Sequence, residues 1–255
     1  MDIQRVNVLG VGISILNMQS AMAAITAALE GRRKGYICVT GVHGVMESQW
    51  DPDFRQILNR AFLCTPDGMP MVWLGRFHGH KEMGRVYGPD LMLEVCRWSA
   101  ANPCRHFFFG GVPGVAEELR DGLTARFPGM QTAGCYTPPF RPMTEEEMSL
   151  LMEQVRVAGV DILWVGLSTP KQEKFMRENL SRLDATLMIG VGAAFDILSG
   201  RIRQAPLWMR RIGLEWLFRL WSEPRRLWRR YCFNNPRFVL LTICQLLGIR
   251  RFRLD

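Results

Sequence analysis

Short apolar, β-rich runs alternate with helical stretches of 10–15 residues over most of this chain, and that alternation limits its fold more than any other feature. A strand or strand-turn is expected at residues 6–13, and strands at 36–40, 62–65, 106–109, 162–165 and 186–189. Helices are expected at 18–30, 46–60, 90–101, 114–127, 145–158 and 171–183. A parallel strand pair needs a crossover of about a dozen residues, usually a helix. The pattern therefore predicts an α/β protein with a doubly wound, mostly parallel, Rossmann-like sheet. Such sheets bind ligands beyond the carboxyl ends of their strands, so the residues that follow each strand are the ones to inspect.

The composition changes near Gly200. From residue 201 to 255 there are 13 arginines and no lysine, with only Glu215, Glu223 and Asp255 opposing them. That segment carries +10, whereas the whole chain carries +8, so residues 1–200 sum to about −2. The expected organisation is an α/β domain at 1–200 and an Arg/Trp-rich basic helical appendage at 201–255, broken into segments by Pro206, Pro224 and Pro236. Arg210, Arg211, Arg219, Arg225, Arg226, Arg229 and Arg230 form a polar face, and Trp208, Leu214, Leu217, Leu220, Trp221 and Trp228 give apolar positions at broadly helical spacing. Arginine binds phosphate bidentately, and tryptophan suits an interface that is apolar on one side and wet on the other. The appendage thus points to an anionic membrane surface, a lipid pyrophosphate or a nucleic acid. The near-neutral body argues against nucleic acid, which usually recruits the domain surface too. The competing structural explanation packs the tryptophans on the core or in a homo-oligomer interface, leaving the arginines solvated.

Seven scattered cysteines, with no CxxC pair or His-rich cluster, argue against a disulfide framework and a structural zinc site and favour a reducing compartment. The N-terminus reads as a first strand and not a signal peptide. The longest late apolar run, residues 238–249, is about 12 residues, short of the roughly 20 that span a bilayer. P-loop, HExxH, GxSxG and DxD-type signatures are all missing from the sequence. Cys64 reads as a core thiol.

Four strand ends carry chemistry. Thr40 and His43 lie where a strand meets a helix, as pocket-lining groups or as a helix cap with a satisfied imidazole. Asp67 follows a short apolar strand and precedes Gly68; it is a general base, a ligand for a sugar hydroxyl, or an Asx-turn carboxylate. Nearby, Arg85 and Asp90 read as binding residues or as a surface ion pair with a helix cap. Gly110 and Gly111 precede a helix and allow a phosphate to approach its N-terminus, or simply make a tight turn. Gly166, Lys171 and Gln172 surround another helix start, suited to phosphate, base or sugar contacts or to a solvated terminus.

Taken in order, the strings NRAFLCTPDGMP, RVYGPDLM, FFFGGVPG, VGLSTPKQE, GVGAAFDILSGRIRQAP and GLEWLFRLWSEPRRLWRRY resemble the WecG/TagA/CpsF family of bacterial glycosyltransferases, over about residues 6–231. The resemblance implies a hexosyltransferase that inverts at the anomeric carbon and works without a metal or other cofactor. Its donor is implied to be a UDP-activated amino sugar, typically N-acetylmannosamine. The implied acceptor is an undecaprenyl-pyrophosphate-linked sugar, met at the cytoplasmic face of the plasma membrane during surface polysaccharide or cell-wall polymer synthesis. It is compatible with self-association. Carried over by position, Asp67 is the base, Thr40, Arg85 and Gln172 line the cleft, and Arg219, Arg226 and Arg229 approach the diphosphate. Many relatives have an asparagine in a TxN-like string where this chain reads Thr40-Gly41-Val42-His43, so either His43 replaces that amide or the sugar contacts differ there. The alternatives are a basic-tailed nucleic-acid-binding protein and a non-catalytic UDP-sugar-binding scaffold.

Overall fold

The computed structural model describes residues 3–254. In chain order the first elements are β1 (Arg5–Val8), β2 (Val11–Ser14), α1 (Met18–Glu30), β3 (Gly35–Thr40), α2 (Val42–Glu47), α3 (Pro52–Arg60), β4 (Leu63–Pro66) and α4 (Met69–Phe77). They are followed by α5 (Gly88–Ser99), β5 (Arg105–Gly110), α6 (Val115–Arg126), β6 (Gln131–Tyr136), α7 (Glu145–Ala158), β7 (Ile162–Gly166), α8 (Lys171–Asn179), β8 (Leu187–Gly190) and α9 (Ala194–Leu198). The chain ends in α10 (Leu207–Arg211), α11 (Glu215–Ser222) and the 23-residue α12 (Pro224–Leu246).

A six-stranded sheet has the order β4-β3-β8-β7-β5-β6. The pairings β3–β8, β8–β7, β7–β5 and β5–β6 are parallel, as the alternation predicts. Strands β3, β4 and β8 are buried at every position, and β7 at all but its last, Gly166. Near-continuous apolar runs of this kind belong to sheets covered on both faces.

The chain divides into two compact units. One comprises Gln19–Cys38 and Gly88–Ile202. Its core holds Tyr36, Phe107, Phe108, Phe109, Trp164 and Phe195. Within that core the His106 ring is fully buried, with Nε2 2.8 Å from Ser99 Oγ and Nδ1 accepting from Trp164 Nε1 at 2.9 Å. The other unit comprises Met1–Met18, Val39–Tyr87 and Arg203–Asp255. Its core includes Met46, Phe54, Leu58, Leu63, Cys64 and Met71. The far half of α12 contributes Phe238 and Leu241 to the buried set. The Gln245 side chain ties that helix to the N-terminal strands, donating to Asn7 O at 3.0 Å and accepting from Leu9 N at 2.9 Å.

Residues 6–13 take the strand-turn alternative, an antiparallel hairpin, because Leu9 and Gly10 both adopt positive φ and reverse the chain. Several other expected elements are corrected. The helix expected at 46–60 is two helices. Asp51 is extended and its carboxylate accepts from Phe54 N at 2.9 Å, capping a new helix whose first residue, Pro52, has no N–H to continue the old one. Helix α4 and strand β6 were not expected at all. Strand β6 is a half-exposed edge with little apolar signal. Pro206 and Pro224 do stand at helix starts, but Pro236 lies inside α12 without ending it. One lost backbone bond there costs a few kcal/mol, and the burial of Phe238, Leu241 and Thr242 beyond it holds the helix together.

Candidate active site

Strand β4 ends at Pro66, and Asp67 is the next residue. Gly68 then takes φ 98°, a turn that a side chain disfavours, and caps α4. This puts the Asp67 carboxylate at the carboxyl end of a sheet strand. Its amide donates to Thr40 O at 2.9 Å, so the ends of β4 and β3 are locked together. Thr40 itself is buried, with its Oγ1 accepting from the buried Cys64 thiol at 3.2 Å. The segment after α4 is tied to the same strand by Val86 N donating to Pro66 O at 2.9 Å, which delivers Arg85 to the carboxylate.

Arg85 Nη2 is 3.4 Å from Asp67 Oδ1 and 2.6 Å from Glu215 Oε2. The first distance is long for a hydrogen bond and the second is short. The guanidinium also covers the Tyr87 ring, 4.1 Å from its centroid. Asp67 keeps 30% of its side chain exposed, against 16% for Arg85 and 12% for Glu215, so the carboxylate is the open member of the cluster. Burial pushes the Asp67 carboxyl up to about 6. Arg85 works against that rise, Glu215 adds to it, and Arg219 lowers it. Burial acts to lower the Arg85 guanidinium, but Asp67 and Glu215 outweigh it and its pKa rises. The Tyr87 phenol is held protonated, mainly by burial and then by Glu215.

The tail contributes through α11 and α12. Glu215 is the first residue of α11, and Arg219 lies one turn further along the same face. Arg230 comes from α12. Burial depresses its guanidinium, Arg219 and Arg226 depress it further, and Asp67 and Tyr231 oppose them. The Nε atoms of Arg219 and Arg230 are buried without a hydrogen-bond partner. Arg226 is exposed and paired with Glu223 at 2.6 Å. Arg229 is exposed, its guanidinium 5.4 Å from the Trp228 ring centroid. The His43 Nδ1 atom lies 3.3 Å from Asn234 Nδ2 on α12 and 3.4 Å from Glu47 Oε1, so its ring joins α2 to α12. Of the expected residues, Thr40, Asp67, Arg85 and Arg219 thus gather in one unit. Glu215, Tyr87 and Arg230 join them without having been expected.

His43, Arg226 and Arg229 belong to the same unit, and Asp90, Gly110, Gly111, Gly166, Lys171 and Gln172 belong to the other. Asp90 lies in the first turn of α5. Gly110 and Gly166 face each other across β5 and β7, where a Cβ on Gly110 would stand 2.6 Å from Gly166 O. Gly111 N donates to Gly166 O at 3.0 Å. Packing alone therefore requires glycine at 110 and 166. Lys171 opens α8 and is exposed. Gln172 is buried, and its Nε2 donates to Glu173 Oε1 at 3.0 Å. Its Oε1 has no hydrogen-bond partner. An unpaired buried acceptor costs about 1–3 kcal/mol, a cost that a ligand donor would relieve.

Among the described residues, no group of three or more His, Cys, Asp or Glu side chains gathers to hold a metal ion. No helix among them is long and apolar enough to cross a membrane.

The family model for glycosyl transferases of the WecG/TagA/CpsF family matches residues 6–252. The chain belongs to this family. It is a WecG/TagA/CpsF glycosyltransferase, and a carboxylate beside a set of arginines is chemistry that such an enzyme can use. Two relatives are named N-acetylglucosaminyldiphosphoundecaprenol N-acetyl-beta-D-mannosaminyltransferase. The one from Bacillus subtilis (strain 168) is 28% identical over 193 residues, covering 76% of this chain and 73% of the relative. The one from Bacillus spizizenii (strain W23) is 27% identical over 214 residues, covering 84% and 80%.

Proposed function

We propose that this glycosyltransferase moves N-acetylmannosamine from UDP to the sugar of an N-acetylglucosaminyl-diphospho-undecaprenol acceptor, with Asp67 as the general base. The acceptor hydroxyl attacks the anomeric carbon as its proton passes to the Asp67 carboxylate. The bond from that carbon to the UDP oxygen breaks, and the diphosphate leaves with the bonding pair. The observation that carries the reading is the association of a partly open, proton-competent carboxylate with Arg85, Arg219 and Arg230 in one compact unit. The two buried guanidinium Nε atoms without partners are suited to an anion. Fixed charge aimed at a developing oxyanion stabilises the transition state most where water is excluded.

The acceptor carries a lipid, and the tail's surface supports docking at the cytoplasmic membrane face. Trp208 is 60% exposed and Trp221 89%, beside the exposed Arg211, Arg225 and Arg229. Each basic residue near an anionic leaflet contributes about 1 kcal/mol, and buried tryptophan adds to it.

The test is transfer from UDP-N-acetylmannosamine to a short-chain polyprenyl-diphosphate-linked N-acetylglucosamine, read by product mass. Asp67→Asn is expected to lower turnover by about 10²–10⁴-fold while donor binding stays nearly unchanged. Wild-type turnover in that variant sinks the base assignment. Transfer of a different UDP-sugar in preference sinks the donor assignment alone.

A further inference from the structure

The acidic residue at the head of α11 has no role in the reading above. Glu215 is one of two acids among the described residues of a segment dominated by arginine, and it is the buried one; Glu223 is spent on Arg226 at the surface. A residue placed there for solubility would face water. Glu215 instead faces Arg85 and Tyr87.

We infer that Glu215 is a positioning residue for the transfer step: it draws the Arg85 guanidinium away from Asp67 and docks the helix that carries Arg219 beside the base. The inference rests on the assignment of Asp67 as that base.

The geometry is a competition for one nitrogen. Arg85 Nη2 serves both carboxylates, at 2.6 Å from Glu215 and 3.4 Å from Asp67. A charge-assisted bond at 2.6 Å is strong, whereas one at 3.4 Å is largely lost. Had Arg85 turned fully to Asp67, it would hold that carboxylate ionised so firmly that it would be a poor proton acceptor. With Arg85 drawn off, and with a second negative charge nearby, Asp67 retains affinity for a proton. The same contact sets the helix. Gly213, just before α11, has φ 77°, and a Cβ there would stand 2.8 Å from the Trp73 ring. That turn is pressed onto α4, so α11 enters in one register, with Glu215 on Arg85 and Arg219 one turn away on the same face. The charged and titratable groups around Asp67 are then Arg85 and Tyr87 from the segment after α4, Glu215 and Arg219 from α11, and Arg230 from α12. Only Glu215 both repels the carboxylate and removes its cation.

The experiment titrates Asp67 directly, in full-length protein labelled with ¹³C at the aspartate carboxyls, the signal being assigned by its loss in Asp67→Asn. In Glu215→Gln the midpoint is expected to fall by about one pH unit, a tenfold loss of proton affinity. Glu215→Asp keeps the charge but withdraws it by one methylene; it should lower the midpoint less, in the same direction, and is the variant to read if Glu215→Gln does not fold. A midpoint that stays or rises overturns the inference. The acid limb of kcat/KM is recorded on the same samples and should move with the midpoint. A limb that stays while the midpoint moves overturns Asp67 as the base, and with it the catalytic half of the inference, while the sharing of Arg85 stands.

Discussion

The Asp67 amide donates to the Thr40 carbonyl at 2.9 Å, and this bond fixes where the base stands relative to the end of β3. The next residue, Gly41, leaves no room between the two segments. A Cβ there would come 2.7 Å from Asp67 O. Gly41→Ala is expected to push the end of β4 outward and lower kcat by about a hundredfold, since a shift near 1 Å in a reacting group costs that much. Circular dichroism should remain that of wild type. Unchanged kcat shows that the approach of the two segments does not set the base.

The pH dependence of transfer follows from the Asp67 carboxyl, pushed up to about 6 chiefly by burial. A base must be ionised to work, so kcat/KM should be flat above that value and fall tenfold per unit below it. Arg85→Gln removes the main charge that opposes the rise. Its acid limb is expected to move to higher pH. A limb that moves down, or does not move, contradicts the electrostatic role given to Arg85.

Much of this arrangement is legible in the chain, and its limits have physical causes. Parallel strands buried on both faces leave apolar runs that stand out without knowledge of the fold, as in β3, β7 and β8. Strand β6 leaves no such trace because none of its residues is fully buried, unlike those of β4 at the opposite edge. The break before α3 was readable, since Asp51 followed by Pro52 is a cap and a first helical residue. Asp67 was legible because the carboxyl end of a strand is where a parallel sheet presents its ligand groups. Glu215 was not, because its meaning comes from Arg85, 130 residues earlier. Nor does a run such as Arg229-Arg230 reveal which member faces inward. Neighbours on a helix point about 100° apart, and only the packing of Leu227 and Tyr231 decides between them.

That difference in facing separates two arginines experimentally. Arg230 is largely buried, with its Nε unpaired, and Arg229 is exposed over Trp228. Arg230→Gln is expected to lower kcat by about 10²-fold with a water-soluble, short-chain acceptor, the size of effect seen when one oxyanion donor is removed. Arg229→Gln should change that assay by about threefold at most and weaken binding to anionic vesicles instead. Equal losses in the soluble assay place both residues on the diphosphate.

Trp208 and Trp221 test the membrane contact without touching the core, because neither is buried. The double substitution to alanine is expected to lower sedimentation with phosphatidylglycerol vesicles by about tenfold or more, while the melting temperature stays within a degree or two. A melting temperature that drops sharply identifies these rings as packed against protein in solution, in a second copy of the chain.

His106 gives a prediction about stability that is independent of catalysis. Its ring is enclosed with Ser99 and Trp164, and burial pushes it down to about 4 from its ordinary 6.5. Because Nδ1 accepts the Trp164 N–H, a proton arriving there has to break that bond as well as enter an apolar site. The unfolded chain therefore binds the proton more readily than the folded one between those two values. Stability contributed by the neutral ring is complete above about 6.5 and is lost as pH falls toward 4, by roughly 3 kcal/mol in all. Urea unfolding followed from pH 7 to 4.5 should show that decline. His106→Gln keeps a hydrogen-bonding side chain but has no proton to gain, so its unfolding free energy should be lower at pH 7 and flatter across the window. The same slope in both proteins means that other groups carry the acid sensitivity.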